Sequence, residues 1–497
     1  MSELLLPLLL ALPMAGCLAL LVLPGPASER FAVPLGVAVS GATAGVAVWA
    51  SAAAEDIDAE WVPSLGLRFH LGIDGISAPL VLLTAGLTFL CLVYTLRVRP
   101  AAGRLRALVG LVLLLEVGML GTFVALDLLL FFVFFEVVLL PMWFVIALWG
   151  DDEVPGGRVR AANVFIIYTL LGSAVMLLGI LLVRAETGTF DMVALAEAGG
   201  AGMSRGVQVL AFLALALGFA VKTPMWPLHS WLPDAHTAAP TIGSVLLAGV
   251  LLKMGTYGLV RIALPIAPEG AEVLAPFLGA FAVVGIVYGA LACLAQRDLK
   301  RLIAFSSVGH MGFVLLGIAT LTPVGVSGAL YANIAHGLIT GLLFFLVGAV
   351  KDRHHTAGIR ELGGGLYERT PRLGGLLAFA AIASLGLPGL AGFWGEMLTL
   401  LGAFDPAPAL HRGYFLTLMA IAGVGVVLTT VYFVALVRRL VQGESLQRWR
   451  EAVLLGDATR AELAVWTPIV LLVLVLGVWP KLLLDVTDPA VRQVLGG

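Results

Sequence analysis

Charged side chains are scarce in this sequence: Asp, Glu, Lys and Arg make up 12% of its 497 residues, against 60% hydrophobic. A soluble domain carries about twice that charged fraction. A soluble enzyme is therefore excluded, and no polar stretch is long enough to house a separate catalytic domain. The net charge of -2 argues against a nucleic-acid partner. Cysteine is nearly absent. Cys17, Cys91 and Cys293 lie far apart in apolar runs, without metal-site spacing or a nearby His pair, and read as small hydrophobes. No GxGxxG follows a strand, no phosphate loop occurs, and neither an acidic cluster for Mg²⁺ or Ca²⁺ nor an axial haem pair is apparent. No cofactor or metal is expected on this chain. Lysine is rarest among the charges: Lys222, Lys253, Lys300, Lys351 and Lys481 are all of it.

What is abundant is apolar sequence of transmembrane length, about 18–25 residues per run. Spans are predicted near residues 4–23, 31–52, 76–96, 107–124, 126–148, 161–183, 207–222, 240–262, 274–295, 303–320, 327–349, 373–402, 413–437 and 463–480. The fold class is an all-α polytopic membrane protein of about 14 helices. The first run lacks a basic flank and is long for a signal peptide, so it reads as a retained helix. With the N-terminus outside, the inner loops collect about 20 basic residues and the outer loops about 7, an asymmetry that sets orientation. Multi-pass insertion in a bacterial plasma membrane with both termini outside is expected.

Two of these segments are interrupted. Residues 220–241 carry Pro224, Pro227, Pro233 and Pro240, and residues 384–397 carry Gly386, Pro388, Gly389 and Gly392. No straight helix survives such a run of prolines. Each break holds an ionisable group next to apolar helix, Lys222 and Glu396 respectively. Paired broken spans are the sequence mark of a transport site. They fall at the seventh and twelfth spans, five apart, and an odd repeat length inverts one copy against the other. The predicted organisation is N-terminal helices 1–3 in 1–103, inverted five-helix repeats in 104–265 (helices 4–8) and 266–440 (helices 9–13), and helix 14 in 441–497.

The ionisable residues inside the membrane are Glu116, Glu136, Lys222, Lys253, His310, His336 and Glu396. An ammonium at the bilayer centre costs roughly 2.5–3.5 kcal/mol even on a mild scale, so each should face the interior. Buried lysine, unlike arginine, can give up its proton, which points to proton or cation movement. Lys222 is the natural partner of Glu136, and the pair makes a candidate gate. Lys253, mid-span, makes the central carrier, His310 and His336 the relay, Glu396 the exit carboxylate and Glu116 an accessory site. His229 and His236 read as loop residues that hydrogen-bond unwound backbone, with inlet groups as the alternative. Asp127 reads as the N-cap of the fifth helix.

The stretches DLLLFFVFFEVVLLPMWFVIALWG, KTPMWPLHSWLPDAHTAAPTIGSVLLAGVLLKMGTYGLVR, QRDLKRLIAFSSVGHMGFVLLG and LPGLAGFWGEM resemble the antiporter-like proton-translocating subunits of respiratory complex I. The resemblance covers almost the whole chain. Glu396 at the broken twelfth helix is similar to the M type (mitochondrial chain 4), where the L and N types and the multisubunit Na⁺/H⁺ antiporters usually have lysine. The resemblance implies a fold of 14 helices with inverted repeats, Glu136, Lys222, Lys253 and Glu396 on the proton path, and His310 and His336 between them. It also implies a membrane arm shared with L and N subunits, embedded in lipid, and an NADH:quinone oxidoreductase (translocase) whose NADH, FMN, iron–sulfur clusters and quinone sit in other subunits. One departure is Ala238 in HTAAPT, where many relatives carry an acid. The rival readings are a subunit of a Na⁺/H⁺ antiporter or hydrogenase-linked proton pump, and a structural membrane subunit that does not pump.

Overall fold

A computed structural model describes residues 2–22, 26–99, 102–152, 156–450 and 456–496. Among them, 13 helices are long and apolar enough to cross a membrane. We number the spans α1 (Leu5–Val22), α2 (Pro26–Ala53), α3 (Ser77–Thr95), α4 (Leu105–Val124), α5 (Leu128–Trp149), α6 (Gly157–Thr187), α7 (Arg205–Lys222, resuming at Trp231–Ala238), α8 (Thr241–Ile266), α9 (Pro268–Ala295), α10 (Leu299–Ala319), α11 (Pro323–His354), α12 (Pro371–Ala383, resuming at Ala391–Phe404), α13 (Arg412–Gln442) and α14 (Arg460–Val478). The predicted spans are all found. The span at 373–402 is broken into the two short halves of α12, as the Gly and Pro cluster predicted, since Pro388 cannot supply a backbone N–H. The predicted end of the first span, residue 23, lies outside the described residues.

Local chemistry sets the helix boundaries. Asp127 caps α5, its Oδ1 accepting from the backbone of Leu129 and Leu130 at 2.9 and 3.0 Å, as expected. Asp298 caps α10 in the same way. Thr459 and Glu462 form a reciprocal capping box at α14. Within α5 the helix steps between Val137 and Leu139, where Pro141 removes the donor that the Val137 carbonyl would use. Besides short connecting helices, a hairpin and a C-terminal helix were not foreseen. Residues 57–71 form an antiparallel hairpin, β1 (Ile57–Val62) with β2 (Leu67–Leu71), and an amphipathic helix, α15 (Lys481–Val494), follows α14.

The helices alternate between a hairpin end, which holds β1–β2, Arg261 and α15, and a basic end, which holds Arg97, Arg158, Lys300, Lys351 and Arg353. The membrane-spanning windows of α8 and α11 are almost wholly buried, so the polar side chains at their middles meet mainly other protein groups. The three cysteines are buried and unpaired, in keeping with their reading as small hydrophobes.

Candidate functional site, a buried row of ionisable side chains

Lys253 lies on α8 between two π-helical turns, Leu247–Leu251 and Leu259–Ala263. Such wide turns free carbonyl groups from the regular ladder and recur at functional sites. One of these, the Ala248 carbonyl, accepts a hydrogen bond from Lys253 Nζ. On the other side, Nζ sits 2.7 Å from His336 Nδ1 on α11. Lys253 is fully buried, so the lysine and the imidazole share a proton between them or leave a buried polar group unpaired. One helical turn away on the same face of α11, Asn333 Oδ1 accepts from Thr256 Oγ1 at 3.1 Å.

The row continues sideways. The His336 and His310 rings meet edge to face with centroids 5.8 Å apart, and His310 Nδ1 lies 3.2 Å from Glu396 Oε1. His310, His336, Thr340, Ser384 and Glu396 line a cavity of about 30 Å³, room for water that would bridge them, since a site needs about 10–15 Å³ to hold one. The Nε2 atoms of both histidines have no protein partner, which suits such a bridge. The broken helix makes the space. Gly386 adopts φ +69°, and a side chain there would collide with Glu396 Oε2. Glycine alone satisfies both demands.

The first broken helix is built differently. Lys222 ends the first half of α7 fully buried, and its Nζ makes no hydrogen bond to protein. It lies over the Phe135 ring at 4.7 Å from the centroid, a cation–π contact. Glu136 follows Phe135, and Ser173 and the Lys222 charge are the polar groups that act on its carboxylate. The expected direct Glu136–Lys222 ion pair is therefore absent among the described residues: the two groups feel each other's charge without a hydrogen bond, because the Phe135 ring takes the ammonium. Glu116 on α4 is wholly buried with neither carboxylate oxygen bonded.

His229 and His236 correct the backbone reading. His236 is fully buried, stacked on Phe344 with centroids 4.5 Å apart, and neither ring nitrogen has a protein partner. His229 packs its ring on Tyr288, its Nδ1 likewise unbonded. His229 lies in the turn that precedes the second half of α7, as expected, whereas His236 lies within that short helix, Trp231–Ala238, rather than in a loop.

The sequence reading missed a cluster at the basic end. Asp151 Oδ2, in the loop after α5, accepts from both Lys300 and Lys351 at 2.9 Å. Lys300 also donates to the Ala239 carbonyl. Burial alone would push the Asp151 carboxyl up, but the two ammonium groups outweigh it and hold it below its ordinary range. The signal was present: Lys300 and Lys351 are two of only five lysines. At the hairpin end, Asp58, His70 and Asp191 bring donor atoms within 4.8 Å of one another. Arg68 grips Asp58 through two nitrogens at 2.5 and 2.8 Å, so the group forms a clasp between the hairpin and the start of the short helix Met192–Ala198.

Residues 125–429 match the family model described as NADH:quinone oxidoreductase/Mrp antiporter, transmembrane. The chain is 42% identical over 448 residues to the NADH-quinone oxidoreductase subunit M of Rhodobacter capsulatus, covering 88% of this chain and 84% of that one. It is 41% identical over 443 residues to NAD(P)H-quinone oxidoreductase chain 4 1 of Synechococcus sp. strain JA-3-3Ab, covering 88% and 81%. Its fold matches a chain of respiratory complex I from Thermus thermophilus with bound NADH, with TM-score 0.86, 32% identity and 100% coverage of both chains.

Proposed function

This chain belongs to the NADH:quinone oxidoreductase/Mrp antiporter membrane family, as a multi-pass M-type subunit of a respiratory complex, and on that premise we propose that it carries protons through the row Lys253, His336, His310 and Glu396. The observation that carries the reading is the row itself: Lys253 Nζ lies 2.7 Å from His336 Nδ1, the His336 and His310 rings meet edge to face beside the cavity, and His310 Nδ1 lies 3.2 Å from Glu396 Oε1.

In this reading the basic end faces the cytoplasm of a bacterium, as the excess of Lys and Arg there requires, and both termini face outside. Glu136 and Lys222 form the input side: a shift in their separation changes how strongly each favours its charged form, and the change passes to Lys253. Helices 4–8 and 9–13 act as the two inverted halves of the transport unit. Electron chemistry, with NADH, FMN, iron–sulfur clusters and quinone, belongs to other subunits, and L- and N-type subunits are the neighbours in the membrane. Moving a proton against 100 mV requires about 2.3 kcal/mol. A hydrogen bond to a charged group contributes about 1.5–3 kcal/mol, so making and breaking the Lys253–His336 contact is on the scale of the work to be done.

Lys253→Ala in the whole reconstituted complex is expected to keep NADH:quinone electron transfer and lower protons pumped per electron. Unchanged pumping removes Lys253 from the path and leaves the chain a structural subunit. A pumping rate that follows sodium rather than pH turns the reading into that of a Na⁺/H⁺ antiporter.

A further inference from the structure

We propose that the hairpin end of α8 is sealed against protons by an aromatic layer and an Arg261–Asp74 latch, so that a proton on Lys253 leaves only sideways through His336. The inference rests on the reading that Lys253 carries a proton.

Lys253, Tyr257 and Arg261 are spaced four apart on α8, which sets them along one side of the helix. Eight residues span about 12 Å, so the stripe runs from the row to the protein's edge, the shortest direct way out. At its far end a cavity of about 270 Å³, lined by Asp56, Asp74, Glu197 and Arg261, penetrates from the hairpin end. There Arg261 Nη1 donates to Asp74 Oδ2 at 2.6 Å. The other Asp74 oxygen is held by the backbone N–H groups of Ile76 and Ser77 at 3.0 Å each. The guanidinium is therefore fixed across the cavity floor.

Between Arg261 and Lys253, α8 carries a single titratable side chain, Tyr257, which lies against the Arg261 guanidinium. Tyr257 is fully buried and its hydroxyl is committed to the Phe123 carbonyl at 3.0 Å. Its ring packs against Phe123 and Phe131, and Phe131 against Phe135 and Phe219. Gly258 admits the Phe219 ring, which any side chain at that position would strike. Four helices thus close on one aromatic layer. An arginine does not deprotonate, so it cannot relay a proton, and a fixed positive charge at a constriction repels one.

The test is passive proton permeability of vesicles holding the whole reconstituted complex, without NADH. Arg261→Gln is expected to raise the leak rate about tenfold, the effect of lowering a barrier by about 1.4 kcal/mol. Arg261→Lys should stay near the unmodified complex, and Asp74→Asn, which leaves the guanidinium present but unanchored, should leak to an intermediate degree. Adding Lys253→Ala to Arg261→Gln should abolish the leak. An assembled Arg261→Gln complex that stays tight overturns the seal; if that variant does not assemble, a tight Asp74→Asn complex overturns it. A leak that persists without Lys253 overturns the link between latch and row. None of these outcomes depends on electron-driven pumping, so the failure of the pumping reading would show separately, in the Lys253→Ala turnover experiment.

Discussion

The two broken helices carry the same ingredients and use them in opposite ways. At α12 the ionisable group is connected: Glu396 meets His310, which faces His336, which meets Lys253, beside a cavity that admits water. At α7 it is isolated: Lys222 has no hydrogen bond and rests on an aromatic ring, near a Glu136 whose Oε1 is unbonded. A buried polar group without a partner costs free energy, and one whose contacts are satisfied does not. The α7 break therefore holds an unpartnered ammonium, and the α12 break joins a row that reaches Lys253. A transport unit needs both, since a row satisfied at every point would have nothing to drive it.

The sharpest way to break this comparison is to cut the connected half. Glu396→Gln keeps a group able to hydrogen-bond His310 but removes one able to take up a proton. Losing the interaction of the moving proton with a charged partner, about 1.5–3 kcal/mol, slows the step it serves by about 10- to 100-fold. The proton-transfer rate of the reconstituted complex should fall by that order, with NADH:quinone electron transfer retained. A pumping rate within twofold of the unmodified complex would mean that the row is packing rather than path.

A second pair of variants tests the sign of the difference. Replacing a buried charge with an apolar residue of similar volume is often stabilising, by roughly 1–4 kcal/mol for ion pairs. Lys222 is not even paired by a hydrogen bond, so Lys222→Met should raise the thermal midpoint at which the chain leaves the purified complex, while pumping falls. Lys253→Met should do the reverse to stability, because it strands the His336 Nδ1 atom, at a cost of about 1–3 kcal/mol. If both substitutions move the midpoint the same way, the two halves do not differ as described.

How much of this was legible in the sequence follows from what a sequence encodes. Apolar run length foretold every span, and the Pro and Gly clusters foretold both breaks, because those features act through the backbone alone. Lys253, His336, His310 and Glu396 were legible as costly groups in apolar runs, though not their order of contact. Helix packing brings His336 to Lys253 from 83 residues away. The expected Glu136–Lys222 ion pair failed for the same reason: opposite charges were visible, but the Phe135 ring that intervenes was one aromatic among many. The hairpin was hidden by its short, mixed strands, and α15 by its amphipathic pattern, which hydropathy averages away. Asp151 went unnoticed because a lone loop carboxylate has no local signature until Lys300 and Lys351 close on it.

The smallest effect separates that Asp151 cluster from the row in pH. Asp151 is held below the ordinary carboxylate range, burial opposing the shift and Lys300 and Lys351 enforcing it. A carboxyl lowered by folding contributes stability that is fully present above its unfolded value, about 3.9, and lost as pH falls through the still lower folded value. Between pH 5 and 8 Asp151 should therefore stay ionised. Asp151→Asn is expected to lower the thermal midpoint of the complex slightly, by the same amount across that range, and to converge with the unmodified protein only in strong acid. The group is more than a third exposed, so solvent screens the pair and the shift stays small. Proton transfer takes up a proton from one side of the membrane, so its rate, unlike the Asp151 interlock, should respond to pH there. Parallel pH profiles of stability in Asp151→Asn and of pumping in the unmodified complex decide the matter. If the stability difference instead varies between pH 5 and 8, the interlock is coupled to proton transfer, and the basic end is part of the path rather than its frame.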